Sequence, residues 1–194
     1  MKTAFFDIDT QIDFLFPAGS LYVPGAERLI PALARLNQYA AANGVPLVSS
    51  RCAHTEDDPE FHDWPPHCVI GTVGQLKPCE LLLEKRATIG VAAGDYRVDG
   101  VQQILFEKNN LDITVSPNFR PLIAHLDVDS YVVYGVVTEY CVRFAALALL
   151  KTRKPVSLVT DAIQTLRAEE SARTFEEFAA RGGRLTTVAE VCGQ

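Results

Sequence analysis

The fold is decided by the stretch Ser130-Tyr131-Val132-Val133-Tyr134-Gly135-Val136-Val137-Thr138-Glu139-Tyr140-Cys141-Val142. Its first half is rich in valine and tyrosine and predicts a buried strand over Ser130–Val136. Helical periodicity follows at once, from Thr138 or Glu139 to Lys151. Because a strand that passes into a helix through a glycine-containing turn is the unit of a parallel α/β sheet, we expect that class of fold.

The same order of strand and helix recurs along the chain. Further strands are predicted at Thr3–Ile8, Pro46–Ser50, Gln103–Lys108, Val156–Thr160 and Arg184–Thr187. Further helices are predicted at Ala26–Ala42 and Ala168–Arg181, each closed by a glycine-containing turn. The pattern predicts a doubly wound, Rossmann-like, mostly parallel six-stranded sheet with helices on both faces.

Length and composition favour a single domain over residues 1–194. A chain of 194 residues that is 48% hydrophobic can bury one substantial core. Its net charge of −6 comes from mixed charges without a basic run, so we expect no nucleic-acid partner. We see neither a signal-peptide pattern nor an apolar run of membrane-spanning length, and therefore expect a soluble, cytoplasmic protein with no membrane contact.

The region from residue 52 to residue 102 does not follow the regular pattern. Its periodicity is lost, prolines are frequent, and a hairpin-like stretch runs from Leu82 to Val101. A loop of this length inside a compact domain is usually functional, so we expect an active-site loop region. The five cysteines of the chain are scattered and include no Cys-x-x-Cys pair, which argues against a disulfide framework and a structural zinc module.

In a doubly wound sheet the active site lies beyond the carboxyl ends of the strands. Cys141 follows the strand Ser130–Val136 and falls at the start of the predicted helix. The positive end of a helix lowers a thiol pKa and offers N–H groups to an oxyanion, so Cys141 is a candidate nucleophile. The same position equally suits a buried core thiol.

Two charged residues also follow predicted strands. Asp9 lies at the end of the first strand and could exchange a proton with a nearby thiol and a leaving amine, although an aspartate there could simply cap the turn. Lys108 ends the strand Gln103–Lys108 and could orient the aspartate and favour a thiolate, although most strand-end lysines are only solvated.

A candidate metal site lies in the long loop. His54, His62 and His67 are three of the four histidines in the chain, and they are interspersed with Cys52 and Glu60. Imidazole, thiol and carboxylate groups bind zinc, iron or manganese, so we favour a divalent metal over an ordinary polar loop.

At these residues the sequence resembles the nicotinamidase branch of the isochorismatase-like cysteine hydrolases. Asp9-Thr10-Gln11-Ile12-Asp13-Phe14 is similar to the family's D-x-Q-x-D-F, and Gly135-Val136-Val137-Thr138-Glu139-Tyr140-Cys141-Val142 to its G-x-x-T-x-x-C-V. Trp64-Pro65-Pro66-His67-Cys68-Val69-Ile70-Gly71-Thr72 is similar to the W-P-x-H-C-V-x-G-T of nicotinamidases. The resemblance runs over nearly the whole chain, and Lys108 falls where the family has its lysine.

The resemblance implies the isochorismatase-like hydrolase fold and a catalytic triad of Asp9, Lys108 and Cys141. It implies cleavage of nicotinamide to nicotinate and ammonia, a step of NAD salvage, through a thioester. It further implies a cis peptide between Val137 and Thr138 beside the oxyanion site, with Phe14 and Trp64 enclosing the pyridine ring.

The resemblance also identifies a departure at the metal site. Nicotinamidases usually have D-x-H at the end of the second strand, whereas this chain has Cys52-Ala53-His54. His54 and His67 are the metal ligands that carry over, Cys52 replaces the carboxylate, and either Glu60 or His62 could take the place of the next histidine.

Other functions remain open at this point. The altered metal site leaves room for another amide or carbamoyl hydrolase. Separate alternatives are a non-catalytic member that binds a small ligand, which a broken triad would mark, and a redox role of Cys141. An isochorismatase proper is disfavoured, since the resemblance implies that those enzymes commonly lack the cysteine. We expect a small-molecule amide as the substrate and a homo-oligomer as the assembly.

Overall fold

The computed structural model describes residues 2–193 and contains one sheet of seven parallel strands in the order β3-β4-β2-β1-β5-β6-β7. The strands are β1 Thr3–Ile8, β2 Leu47–Cys52, β3 Arg86–Ile89, β4 Gln103–Lys108, β5 Ser130–Val136, β6 Val156–Gln164 and β7 Arg184–Thr186. The central strand is β1, and the direction of chain order reverses between β1 and β5, so this is the topological switch point where α/β proteins place their ligands.

The helices connect these strands. They are α1 Ile12–Leu15, α2 Ile30–Ala42, α3 Phe119–Leu126, α4 Arg143–Leu150, α5 Ala168–Ala180 and α6 Val188–Cys192. Short 3-10 turns occur at Ala26–Leu29, Pro59–His62, Val73–Gln75, Cys79–Leu81 and Ile113–Val115. Among the described residues, none of the helices is both long enough and apolar enough to cross a membrane.

The predicted fold class is confirmed, with two differences in the sheet. The sheet has seven strands where six were predicted, and all of them are parallel. The additional strand, β3, lies within the stretch interpreted as hairpin-like, and it pairs in parallel with β4 from Arg86 opposite Gln103. It escaped prediction because it is a short edge strand with exposed side chains and therefore lacks an apolar run.

The close approach of β1 and β5 brings the ends of these strands together. Gly135 in β5 has φ +116°, and a Cβ at this position would collide with the backbone of Ile8. Only glycine therefore allows this contact, since it has no side chain and adopts positive φ readily. The residues that follow the two strands, Asp9 and Val137, consequently emerge side by side at the carboxyl edge of the sheet.

Candidate active site

Asp9, Lys108 and Cys141 converge at the carboxyl edge of the sheet. Asp9 directly follows β1, Lys108 is the last residue of β4, and Cys141 lies in the turn between β5 and α4. The Nζ atom of Lys108 lies 2.8 Å from Oδ2 of Asp9 and donates to Sγ of Cys141 at 3.6 Å. One ammonium group therefore contacts both the carboxylate and the thiol.

The Asp9 side chain is held by a neighbouring strand. Ser50 Oγ donates to Asp9 Oδ1 at 2.7 Å and accepts from the Asp9 backbone N–H at 3.1 Å. These bonds hold Asp9 in a left-handed conformation with φ 49°, which is uncommon for a residue other than glycine. Sequence reasoning did not single out Ser50, because a serine in a strand carries no recognisable motif.

Burial and charge together set the protonation states of the three side chains. Burial raises the pKa of the Cys141 thiol well above its usual range; Lys108 opposes that rise and Asp9 adds to it. Burial also disfavours charge on Asp9, but the Lys108 ammonium, together with hydrogen bonds from Ser50 and Cys141, outweighs burial and lowers the pKa of that carboxyl group. The site at rest is therefore an Asp9–Lys108 ion pair beside a neutral thiol.

Two expectations about the turn that carries Cys141 are wrong. The pKa of Cys141 is raised, not lowered, because the thiol is buried beside a carboxylate and the regular helix begins only at Arg143. Tyr140 has φ −116° and ψ −107°, so the helical path is broken just before the cysteine. The cis peptide lies between Val136 and Val137, one bond earlier than expected, directly at the end of β5.

A cleft lined mainly by aromatic and apolar side chains opens above these residues. Phe14, Trp64 and Tyr140 line it together with Asp9 and Cys141. The rings of Trp64 and Tyr140 meet edge to face, with their centroids 5.4 Å apart. The shape and lining suit a small flat molecule whose polar end faces Cys141. Tyr140 was not predicted as a cleft residue, although its position next to Cys141 was a usable signal.

The candidate metal ligands Cys52, His54 and His67 also converge. Their ligand atoms all lie within 4.8 Å of one another, and all three residues are buried. His67 Nδ1 lies 2.9 Å from the carbonyl oxygen of Pro65, and His54 Nδ1 lies 3.0 Å from Oδ2 of Asp58. Both partners accept hydrogen bonds, so each Nδ1 carries the proton and each Nε2 keeps a free lone pair.

This cluster fits a metal ion on two grounds. His54 Nε2 is buried and has no hydrogen-bond partner among residues 2–193, which is costly unless a ligand occupies it. Burial lowers the pKa of His67, so its imidazole is neutral and able to coordinate. A thiol and two imidazoles form a donor set that is typical of zinc.

The structure distinguishes the two remaining ligand candidates. Glu60 points into the cleft, and its Oε1 lies 3.8 Å from Nε2 of His67. His62, two residues further along the same 3-10 turn, is exposed and lies outside the cluster. The structure thus brings Glu60 to the candidate site and leaves His62 away from it.

The motif that follows β1 holds the two clusters together. Gln11 bonds both the N–H and the carbonyl of Cys52, at 2.6 and 2.9 Å. Asp13 accepts from the N–H of Cys68 at 2.6 Å, which holds the segment that carries His67. The ring of Phe14 lies 5.3 Å from that of His67. Gln11 and Asp13 therefore each position a different part of the site.

Comparison with known proteins agrees with this architecture. The chain is 25% identical to the nicotinamidase of Escherichia coli K12 over 94% of its own length and 93% of that protein. It is 26% identical to the nicotinamidase/pyrazinamidase of Mycobacterium tuberculosis H37Rv over 95% and 96% of the two chains. The crystal structure of pyrazinamidase of Pyrococcus horikoshii in complex with zinc superposes with a TM-score of 0.79 at 25% identity, covering 96% and 99%.

The sheet is parallel and doubly wound, and polar side chains lie just beyond its switch point. This is the arrangement of α/β proteins that bind small ligands at the carboxyl edge of the sheet. The isochorismatase domain matches residues 3–190. The chain belongs to the isochorismatase family, and its resemblance to the nicotinamidase branch is confirmed.

Proposed function

We propose that the protein is an amide hydrolase that cleaves nicotinamide to nicotinate and ammonia, with Asp9, Lys108 and Cys141 as its catalytic residues. One observation carries the proposal: the Lys108 ammonium contacts both the Asp9 carboxylate and the Cys141 thiol at the floor of an aromatic cleft. The family match and the nicotinamidase relatives support a hydrolase acting on amides.

In the first step Asp9 takes the proton of the Cys141 thiol as the sulfur attacks the amide carbon. The neutral thiol and the ionised carboxylate of the resting site are the states that this transfer requires. Lys108 stays charged throughout, because Asp9 and Cys141 raise its pKa well above the usual range despite burial. Its ammonium stabilises the thiolate while the C–S bond forms.

The negative charge then resides on the former amide oxygen. We propose that the backbone N–H groups of Thr138 and Cys141, which follow the cis peptide, bind this oxyanion, with Val137 shaping the turn. Asp9 returns its proton to the leaving nitrogen, the C–N bond breaks, and ammonia departs from a thioester on Cys141.

The second half of the reaction regenerates the thiol. Asp9, again ionised, takes a proton from a water molecule as the water oxygen attacks the thioester carbon. The C–S bond breaks, the proton returns to sulfur, and the carboxylic acid leaves the cleft. The apolar side chains around the cleft limit the entry of further water.

The remaining residues bind the substrate ring. Phe14 and Trp64 supply apolar and stacking contacts. Cys52, His54 and His67, with Glu60 beside them, would hold a divalent ion such as zinc, iron or manganese, and that ion would supply a binding point for the pyridine nitrogen. This arrangement orients the amide toward Cys141, which is the purpose of substrate positioning in catalysis.

A second candidate is another amide or carbamoyl hydrolase of the same family. The observation that favours it is Cys52, a thiol in a cluster where the nicotinamidase motif has a carboxylate. A different metal-binding side chain changes which ion binds and how much space lies beside it. Both properties affect which substrate ring fits the cleft.

The proposal is tested by ammonia release from nicotinamide, with and without added zinc, iron or manganese. Cys141→Ala should abolish release while circular dichroism and the unfolding midpoint show a folded protein. Cys79→Ser is the matched control, because Cys79 is exposed and does not line the cleft. Ordinary activity in Cys141→Ala would contradict the triad. A wild-type protein inactive on nicotinamide but active on another amide would favour the second candidate.

A further inference from the structure

We propose that Cys52 binds a metal ion through its thiolate and that this thiolate increases the preference of the cluster for zinc over manganese. The inference rests on the proposed function only in placing the ion beside the substrate. It concerns Cys52, which stands where the nicotinamidase motif has a carboxylate. Three features support it: the position of Cys52 Sγ, the charge that faces it, and the donor set around it.

Cys52 is placed rigidly for coordination. It is the last residue of β2, and Gln11 bonds its backbone on both sides, at 2.6 Å to the N–H and 2.9 Å to the carbonyl. Its Sγ lies within 4.8 Å of a nitrogen of His54 and of His67. Because an acceptor oxygen lies next to Nδ1 of each histidine, a proton is favoured on Nδ1, and the Nε2 lone pairs are the ones available to the same ion.

A buried thiolate needs positive charge near it. Lys108 Nζ donates to Cys52 Sγ at 3.4 Å, so one ammonium faces Cys52 from the side of the triad. Burial and the neighbouring Asp9 carboxylate nevertheless raise the pKa of the Cys52 thiol, so Lys108 alone does not hold a thiolate there. An ion held by the histidines would supply the additional positive charge that coordination through sulfur requires. Lys108 contacts Cys52, Asp9 and Cys141 and so links the metal cluster to the triad.

The donor set favours one kind of ion. Thiolate and imidazole suit zinc, whereas manganese prefers carboxylate, carbonyl and water oxygens. Catalytic zinc sites commonly use three protein ligands and leave a fourth position for water or substrate. Cys52, His54 and His67 supply the three, and Glu60, 3.8 Å from His67 through its carboxylate, flanks the open side of the cleft. Replacing the thiolate by a carboxylate should shift the preference toward manganese.

Cobalt spectroscopy tests the ligand directly. Chelator-treated full-length protein loaded with cobalt(II) alone should show a thiolate-to-cobalt charge-transfer band in the near ultraviolet. Cys52→Asp and the nearly isosteric Cys52→Ser should lose that band, and either variant suffices if the other fails to fold. Cys79→Ser should keep it, because Cys79 is an exposed cysteine outside the cluster.

Metal competition tests the selectivity. Wild-type protein dialysed against equimolar zinc and manganese, then analysed by mass spectrometry of the bound metals, should retain zinc. Cys52→Asp should lower the ratio of bound zinc to bound manganese by about tenfold or more relative to wild type. An unchanged ratio in Cys52→Asp would overturn the proposed selectivity.

Two further outcomes would overturn the ligand assignment. One is cobalt bound to wild-type protein without the charge-transfer band, and the other is folded wild-type protein that binds none of the three ions. Neither readout involves an amide, so the metal result and the proposed function can fail separately. A protein with the band but no ammonia release would contradict only the proposed function.

Discussion

Asp7 in β1 and Asp9 just after it each form a buried ion pair with a lysine from a distant part of the chain. Lys77 Nζ donates to Asp7 Oδ2 at 3.1 Å, and Lys108 Nζ lies 2.8 Å from Asp9 Oδ2. All four side chains are buried. The two pairs have the same chemistry and nearly the same burial, yet only the second contacts thiols and a cleft.

The partners of each pair explain the difference. Thr10 Oγ1 donates to Asp7 Oδ1 at 2.7 Å and accepts from Lys77 at 2.7 Å, and Ser49 Oγ donates to Asp7 Oδ2 at 3.0 Å. Those contacts are all with buried side chains of the same cluster, so the Asp7–Lys77 pair faces no cleft. They also hold the segment after the turn Val73–Gln75 against β1. A buried charge therefore indicates a catalytic site only where reactive groups and an open cleft adjoin it.

The largest difference between the Asp9–Lys108 and Asp7–Lys77 ion pairs is expected in kcat. Asp9→Asn preserves shape but cannot accept the thiol proton, so ammonia release should fall about 10²- to 10⁴-fold. The measurement is kcat for the proposed amide substrate, with circular dichroism as the control for folding. A folded Asp9→Asn protein with nearly wild-type kcat would remove Asp9 from the mechanism.

The reverse pattern is expected for Asp7→Asn. Lys77 would be left buried without its carboxylate, which should lower the free energy of unfolding by about 3–5 kcal/mol. The fraction that stays folded should keep its kcat, since Asp7 does not line the cleft. Urea unfolding and activity measured below the transition check both parts. The comparison fails if Asp7→Asn reduces kcat as strongly as Asp9→Asn at unchanged stability.

A half-buried ion-pair network at the surface, formed by Glu177 with two arginines, should show the smallest effect. Glu177 accepts from Arg143 Nε at 2.7 Å and from Arg181 Nη2 at 2.7 Å, and its pKa is lowered chiefly by the hydrogen bond from Arg143. Because the native pKa is the lower one, the contribution is present above the unfolded pKa and is lost as pH falls through the native value.

Glu177→Gln should therefore change the free energy of unfolding by at most about 1 kcal/mol at neutral pH. The difference from wild type should disappear under acid conditions, below the native pKa of Glu177. Unfolding curves recorded at neutral and acid pH make the comparison. A loss at neutral pH as large as that of Asp7→Asn would show that exposure does not separate this pair from the buried ones.

The regular part of the fold could be predicted because its pattern is local. The spans of β1, β4 and β5 agree with the predicted ones, since each is a run of buried residues ending in a polar one or a turn. The edge strand β3 and the helix α3 were not recognised because they are short, with four and eight residues. Their positions depend on pairing with β4 and on packing against the rest of the chain.

The candidate site could be predicted in its residues but not in its electrostatics. Motifs indicate which side chains follow the strands, but not how deeply they are buried, and burial reverses the expected direction of the Cys141 pKa. The same limit applies to Glu60 and His62. Both lie in one 3-10 turn, and only the direction of that turn brings Glu60 toward the cleft and leaves His62 exposed.

The most direct test of the central claim is to locate the acyl group. A single turnover of excess protein with nicotinamide is quenched in acid, digested and analysed by mass spectrometry for nicotinoyl groups on the five cysteines. We expect the group on the Cys141 peptide alone and none in Cys141→Ala. Ammonia release accompanied by acylation of Cys52, or with no acylated cysteine at any time during the turnover, would contradict the account.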